Sequence, residues 1–272
     1  MLNTFLYFKS FVFGICIGSF LNVIVYRFPN NISIIKTRSF CPKCKTKITL
    51  KENIPLISWV IQRGKCKSCN EFIPFKYPLV EIITGILFVV FINSSPSFYN
   101  FDPKVFLNII FSWLFLSLLV CISLIDIEHF WIPQGLVNFG FFSGLLCLIL
   151  MDIFGNQTFN LNIIVQTLSA SVITYFIFEF IRYFAKYIFK KDAIGKGDSK
   201  LVAMLALWLG PLGTLFAVAL SYVFAAIYCL IGLSLNLLKF RQVIPFAPFL
   251  SLGGLLTWFF GNEFIINKIL RL

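Results

Sequence analysis

The feature that most restricts the fold is a series of long apolar runs, separated by short polar segments. About 20 apolar residues are enough to cross the hydrocarbon core of a bilayer as a helix. Because lipid offers the backbone no hydrogen bonds, we expect runs of this kind to cross the bilayer as helices. Charged residues make up 12% of the chain, against about 25% in soluble domains. The sequence therefore predicts an all-α polytopic protein whose first partner is the lipid bilayer.

Eight segments are candidate transmembrane helices. They cover residues 5–26, 78–93, 105–125, 131–152, 161–189, 200–210, 212–236 and 243–261. The sixth is short, and Gly210, Pro211 and Gly213 indicate either a tight turn into the seventh or a kink in one long segment. No cleavage site of the A-x-A type follows the first segment, so we expect a retained helix.

The basic residues lie between the apolar runs and predict the orientation of the chain. Residues 27–77 hold eleven Lys and Arg but only two Glu, whereas residues 153–160 hold no charge. By the positive-inside rule, 27–77, 190–199 and 237–242 are then cytoplasmic. The net charge of +12 is accounted for by orientation and by contact with anionic lipid, so no nucleic-acid partner is expected.

Three regions follow from this pattern. Residues 1–26 form the first transmembrane helix, residues 27–77 a small cytoplasmic loop domain, and residues 78–272 the remaining transmembrane helices. About 50 residues can scarcely build a core without a metal or another crosslink. The loop is therefore expected to contain such a crosslink.

Two C-x-x-C pairs supply it. One ion can be held by the tetrahedral set Cys41, Cys44, Cys66 and Cys69. Because four protein ligands leave no open position, we expect structural zinc and not a catalytic metal. The alternative is two redox or disulfide pairs, which a reducing cytoplasmic location disfavours.

Two aspartates stand at the ends of predicted transmembrane helices. Asp126 ends the apolar run 105–125, and Asp198 closes the motif Gly195-Lys-Gly197-Asp198 and opens the sixth segment. On the predicted topology both lie at the cytoplasmic face. Carboxylates a few Å apart share one proton, so one can activate a water while the other polarises a carbonyl. The pair predicts an aspartic protease, and the helix dipole favours Asp198 as its base.

The glycines of the second motif have a physical use. Glycine allows a close backbone approach, so an extended substrate could pair with Gly195 and Gly197. An ordinary loop before a helix would give the same letters, and the facing Asp126 is what favours function.

These residues, taken in order along nearly the whole chain, resemble the bacterial type 4 prepilin peptidases, which are bifunctional leader peptidases and N-methyltransferases. The resemblance adds to the cysteine pairs and the aspartate motifs several further stretches: Gly18-Ser-Phe-Leu-Asn-Val-Ile-Val-Tyr-Arg27, Pro55-Leu-Ile-Ser-Trp59, Arg63-Gly-Lys-Cys66, Tyr77-Pro-Leu-Val-Glu81 with Gly85, and Gly195-Lys-Gly-Asp-Ser-Lys-Leu201.

The resemblance implies an enzyme of the bacterial inner membrane, with its active site at the cytoplasmic face. Its substrates would be prepilins or pseudopilins of a type IV pilus or type II secretion system. It would remove the basic leader with Asp126 and Asp198 and then methylate the new N-terminus with S-adenosylmethionine. The four cysteines correspond to the family's metal ligands. Candidate methyltransferase residues are Lys76, Tyr77, Glu81 and Gly85.

Two departures from the family pattern are Gln134, where Asp or Asn is frequent, and Lys76, where Arg is frequent. Because Gln134 is not a carboxylate, it does not compete with Asp126 for the role of first catalytic aspartate.

Three alternative functions stay open: a protease of the same motif without methyl transfer, a transporter whose aspartates mark an ion path, and a non-catalytic assembly factor. The oligomeric state is left undefined by the sequence.

Overall fold

The structure is a computed structural model, and it describes residues 2–93, 103–156, 161–190, 195–240 and 242–264. In these ranges the chain forms eight α-helices and a 3-10 turn at Lys51–Asn53. The helices are α1 (Leu2–Arg27), α2 (Ile57–Ile61), α3 (Lys76–Asn93), α4 (Pro103–His129), α5 (Gln134–Asn156), α6 (Leu161–Phe189), α7 (Lys196–Ser234) and α8 (Ala247–Phe264). Extended pairing is limited there to two isolated β-bridges. The all-α prediction is confirmed.

Among the described residues, five helices are long and apolar enough to cross a membrane: α1, α4, α5, α6 and α7. The other two apolar helices, α3 and α8, have 18 residues each. Each of the eight predicted segments overlaps a helix, although α5 begins at Gln134, α7 ends at Ser234 and α8 begins at Ala247. The sixth and seventh segments are continuous in the 39-residue α7. The backbone of α7 breaks at Gly210 (φ 70°, ψ 178°), with Pro211 next. Of the two possibilities at this point, the structure has the kink.

The chain divides into two compact units. The first contains Met1–Phe101 and Ser112–Cys121, and in it α1 packs along α3. The helices approach closely where both lack side chains, since a Cβ on Gly14 would lie 2.8 Å from the Cα of Gly85. Small residues allow this packing between apolar helices in lipid. Trp113 stacks on Phe88 at 4.8 Å and donates to its carbonyl at 3.1 Å.

The second unit contains Asp102–Phe111 and Ile122–Leu272, and it is built around α7. This helix packs against α5, α6 and α8, and residues 201–209 are all buried. A helix that is apolar on every side belongs inside the protein. Trp208 Nε1 donates to the Gly140 carbonyl on α5 at 2.8 Å, and Ser171 on α6 donates to the Ala203 carbonyl at 2.7 Å. These bonds fix the first half of α7, which carries Asp198.

Candidate active site and metal cluster

The two C-x-x-C pairs fold into equivalent turns. In each turn the amide of the first cysteine donates to the carbonyl five residues later: Cys41 to Thr46 at 3.0 Å and Cys66 to Glu71 at 2.8 Å. The carbonyl of the same cysteine accepts a hydrogen bond from the amide four residues later, which belongs to Lys45 in the first turn and to Asn70 in the second. Both of these residues have a positive φ, 60° and 55°. Each pair is thus held in one geometry by its own backbone.

The four cysteine sulfurs converge as the spacing predicts. Their Sγ atoms all lie within 4.8 Å of one another, and those of Cys41 and Cys69 are 3.9 Å apart. Zinc–sulfur bonds of about 2.3 Å in a tetrahedron put neighbouring sulfurs about 3.8 Å apart. Hydrogen bonds from the side chain and backbone of Thr46 lower the pKa of Cys44 to about 6. The spacing of the four sulfurs therefore fits a structural metal, and at Cys44 the lowered pKa favours the thiolate, which is the form that binds.

Asp126 lies in the last turn of α4, with 6% of its surface exposed. Its Oδ2 accepts a hydrogen bond from the amide of Ala247, the first residue of α8, at 3.0 Å. The amide of Phe246 also donates to this carboxylate. A helix N-terminus presents unpaired N–H groups and a positive dipole end to an anion. Asp126 is therefore held against the start of α8.

Asp198 is the third residue of α7 and is 7% exposed. Its Oδ2 accepts a hydrogen bond from the Gly195 amide at 3.1 Å, and its own amide donates to the Gly195 carbonyl at 3.2 Å. The first of these is the acidic half of a capping box. Because Gly195 has no side chain, the other half is missing. The arrangement fixes the carboxylate relative to the turn that precedes it.

The residue before Asp198 packs against the segment that follows Asp126. A Cβ on Gly197 would lie 2.7 Å from the Cβ of Ile132, so only glycine allows this approach. Nearby, Lys200 Nζ donates to Gln134 Oε1 at 3.0 Å. The charge of Asp126 acts directly on Asp198. The structure thus brings together the two buried carboxylates that the sequence singled out.

Three further residues border this pair and were not anticipated. Phe246 and Ala247 supply the amides on Asp126, and the Tyr222 ring lies 5.2 Å from the Phe246 ring and is influenced by the charge of Asp198. Pro248 in the first turn of α8 is a signal for a helix start, but nothing in it indicates which carboxylate the start faces. Since both aspartates contact amides at helix N-termini, the dipole no longer distinguishes Asp198 as the base.

The candidate methyltransferase residues lie on α3, in the first unit. Glu81 is buried, and its Oε2 accepts a hydrogen bond from the Leu56 amide at 2.8 Å. The carbonyl of Tyr77 accepts one from Asn22 of α1 at 3.1 Å. Gly85 packs under α1, and Lys76 Nζ stands 5.3 Å from the Tyr77 ring centre. Glu81, Tyr77 and Gly85 therefore have packing roles that do not require a cofactor.

Comparison with known families matches both halves of the chain. A model of the bacterial peptidase A24 N-terminal domain matches residues 12–94, and one of the type IV leader peptidase family matches residues 113–230. The first range includes the four cysteines, and the second includes Asp126 and Asp198. Phe246 and Ala247 lie beyond both.

Several curated proteins are similar. A protein of Escherichia coli O78:H11 (strain H10407 / ETEC), described as a type 4 prepilin-like proteins leader peptide-processing enzyme, is 31% identical over 90% of both chains. Prepilin leader peptidase/N-methyltransferases of Bacillus subtilis (strain 168) and Myxococcus xanthus (strain DK1622) are 31% and 35% identical. The Bacillus alignment covers 94% of both chains, whereas the Myxococcus one covers 73% of this chain and 55% of that protein. No solved structure matches the chain.

Proposed function

The chain belongs to the type IV leader peptidase family, and from this premise we propose that it cleaves the leader from type 4 prepilins and pseudopilins. The observation that supports the proposal most is the close packing of Gly197 against Ile132, next to the buried carboxylates of Asp126 and Asp198. The cleavage would take place at the cytoplasmic face of a bacterial inner membrane.

In the proposed mechanism Asp126 and Asp198 share one proton. The ionised carboxylate takes a proton from a water, which attacks the scissile carbonyl, and the protonated carboxyl donates a hydrogen bond to the carbonyl oxygen. The carboxyl that took the proton from water then gives it to the leaving amine as the peptide C–N bond breaks, which returns the pair to its singly protonated state. The amides of Ala247 and Gly195 hold the carboxylates in place during these steps. Gly195 is exposed, and although its amide donates to Asp198, its carbonyl keeps a second lone pair that could accept a hydrogen bond from an extended substrate strand.

The substrate class agrees with the position of the pair at helix ends. A prepilin has a basic leader followed by about 20 apolar residues, so it reaches the enzyme as a membrane helix. Its scissile bond then lies at the membrane boundary, and Asp126 and Asp198 occupy the last turn of α4 and the first turn of α7. A soluble peptide lacking the apolar segment should be a poor substrate.

We propose methylation of the new N-terminus as a second activity, with S-adenosylmethionine as the methyl donor. The first unit would serve it, with zinc bound by Cys41, Cys44, Cys66 and Cys69 in a structural role. Candidate residues for the amine or the cofactor remain Lys76, Tyr77, Glu81 and Gly85. When bound, the cofactor supplies an electrophilic methyl group. The residues on α3 would shape its surroundings.

The test is a mass measurement. Purified protein in detergent is mixed with a prepilin and S-adenosylmethionine, and the loss of the leader and the gain of a methyl group are read separately. We expect Asp126→Asn and Asp198→Asn each to abolish leader loss. Glu128→Gln, an exposed carboxylate two residues beyond Asp126, is the matched control and should cleave normally. Full cleavage by either aspartate variant would falsify the assignment.

The same assay separates the other functions. Cleavage without a mass gain identifies a protease that lacks methyl transfer. An intact substrate with every preparation, including the unaltered chain, would leave a transporter or an assembly factor as the function. Neither outcome is expected from a chain that retains both the aspartate motifs and the four cysteines.

A further inference from the structure

A cavity between α6 and α7 carries an excess of positive charge that the proposed peptidase does not use. Its volume is about 640 Å³. Charged side chains that line it are Arg182, Lys186, Lys196, Lys200 and Glu179. Four basic groups against one acidic group give the lining a formal net charge of +3. Two tyrosines, Tyr175 and Tyr183, complete the wall.

The carboxylate in this lining is already paired. Arg182 Nε lies 3.3 and 3.2 Å from the two oxygens of Glu179, and its Nη2 donates to Oε2 as well. Both side chains are largely buried, at 6% and 15% exposure. Glu179 is therefore paired with Arg182 and also lies within electrostatic range of Lys196, and the lining as a whole keeps its formal charge of +3. Lys200 uses one of its three donors on Gln134.

The cavity lies at the depth of lipid headgroups. At 1.5 Å per residue, the 29 residues of α6 measure about 43 Å, or about 13 Å more than the hydrocarbon core. The basic residues of the lining fall in the last two turns of α6 and the first two of α7. Exposed Tyr183 and Tyr187 accompany them, as expected of the aromatic belt at a membrane surface.

We propose that this cavity binds the phosphate group of an anionic phospholipid. Lysine is a compact point charge that suits phosphate, and basic pockets between helices at headgroup depth suit lipid phosphates. A net charge of +3 repels a basic leader, and it also repels S-adenosylmethionine, whose sulfonium and ammonium outweigh its carboxylate. Neither aspartate is among the described residues that line the cavity, although Lys196 and Lys200 each stand two residues from Asp198. Lipid retention is measured independently of peptidase activity.

The test measures lipid retention by native mass spectrometry. The full chain is released from bilayers of equal parts phosphatidylglycerol and phosphatidylcholine, and bound lipid is counted. We expect selective retention of phosphatidylglycerol, and a loss of about fivefold in its affinity for each lysine replaced in Lys186→Gln/Lys196→Gln. The matched control is Lys47→Gln/Lys239→Gln, which removes two exposed lysines outside the cavity and should retain the lipid.

Three results would overturn the proposal. They are equal losses in the two double variants, equal retention of phosphatidylcholine, and displacement of the lipid by millimolar inorganic phosphate, which would identify a free anion as the ligand. If the double variant does not fold, lipid retention is measured instead with the single variant Lys186→Gln, at an exposed position of α6. Its expected loss is about fivefold.

Discussion

At the scale of single residues, the two glycines before Asp198 differ in how much space each leaves for a side chain. Gly195 has an ordinary extended backbone (φ −69°, ψ 144°), and a Cβ there would lie 3.1 Å from Asp198 Oδ2. At Gly197 a side chain is tolerated less, because its Cβ would lie 2.7 Å from the branched Cβ of Ile132. A carboxylate oxygen can rotate by a few tenths of an ångström, whereas the Cβ of Ile132 is fixed to the backbone.

We therefore expect Gly197→Ala to reduce leader cleavage far more than Gly195→Ala. Overpacking of this kind costs about 1–3 kcal/mol, and about 1.4 kcal/mol corresponds to tenfold in rate. The loss for Gly197→Ala should thus be about 10- to 100-fold, against a few-fold for Gly195→Ala. Initial rates on one prepilin measure both. Equal losses would mean that the contact with Ile132 does not position Asp198.

A second prediction concerns Glu81, which accepts a hydrogen bond from Leu56, a residue with positive φ (59°). Glu81→Ala leaves that amide without its acceptor, which costs about 1–3 kcal/mol. Hydrogen exchange should therefore become faster in residues 54–64. The control Glu71→Ala breaks only an exposed ion pair with Lys43, worth about 0–1 kcal/mol. Unchanged exchange with lost methylation would instead favour direct contact of Glu81 with the amine or cofactor.

The residues that could be predicted from the sequence are those whose chemistry is rare in their surroundings. Four cysteines in two C-x-x-C pairs and two aspartates at the ends of apolar runs stand out by type and spacing. The amide donors of Phe246 and Ala247 do not, because every residue except proline carries an N–H group. Their role comes from where α8 begins in space, and the sequence is silent about that distance.

At the scale of elements, α7 is the least regular. It changes direction at Gly210, whose φ and ψ fall in a region that is essentially restricted to glycine. Residues 196–209 before the kink measure about 21 Å, too short to cross a core of about 30 Å. The complete burial of residues 201–209 explains how so short a segment is accommodated. The sequence indicated a break here but not its form, since Gly210 and Pro211 suit both a turn and a kink.

We predict that Gly210→Ala destabilises the protein by about 1–3 kcal/mol, the cost of holding a side chain in that backbone conformation. Pro211→Ala should have a smaller effect, because the direction change is set by the dihedral angles of Gly210. Thermal unfolding in detergent compares the two variants. A larger loss for Pro211→Ala would show that the proline is what fixes the bend.

At the scale of the whole molecule, the two chemistries belong to different units. The cysteine cluster is formed by residues 41–69 of the first unit, and the aspartates belong to the second. The contacts that fix Asp198 come from its own turn and from the residues around Ile132. Loss of the metal should consequently affect the loop first.

Removal of the metal tests this expectation. We predict that Cys41→Ser/Cys44→Ser lowers bound zinc from about one per chain to none, because two ligands cannot complete a tetrahedral site. The Lys- and Arg-rich residues 27–77 should then become sensitive to trypsin, since metal binding supplies folding free energy to such loops. Elemental analysis and mapped proteolysis measure the two effects. Cys16→Ser, an exposed cysteine outside the cluster, should keep both its zinc and its resistance.

The contact between Asp126 and the start of α8 also has a consequence for biosynthesis. Asp126 precedes Ala247 by 121 residues, so during synthesis its helix is made long before the amides that orient its carboxylate. At about 5–20 residues per second, the delay is about 6–24 seconds. For the final 49 residues of that interval, from Asp198 to Ala247, the nascent chain carries both aspartates but lacks the amide donor of Ala247. The start of α8 is therefore made after both aspartates, and the carboxylate of Asp126 gains its amide donor only once the ribosome has delivered Ala247.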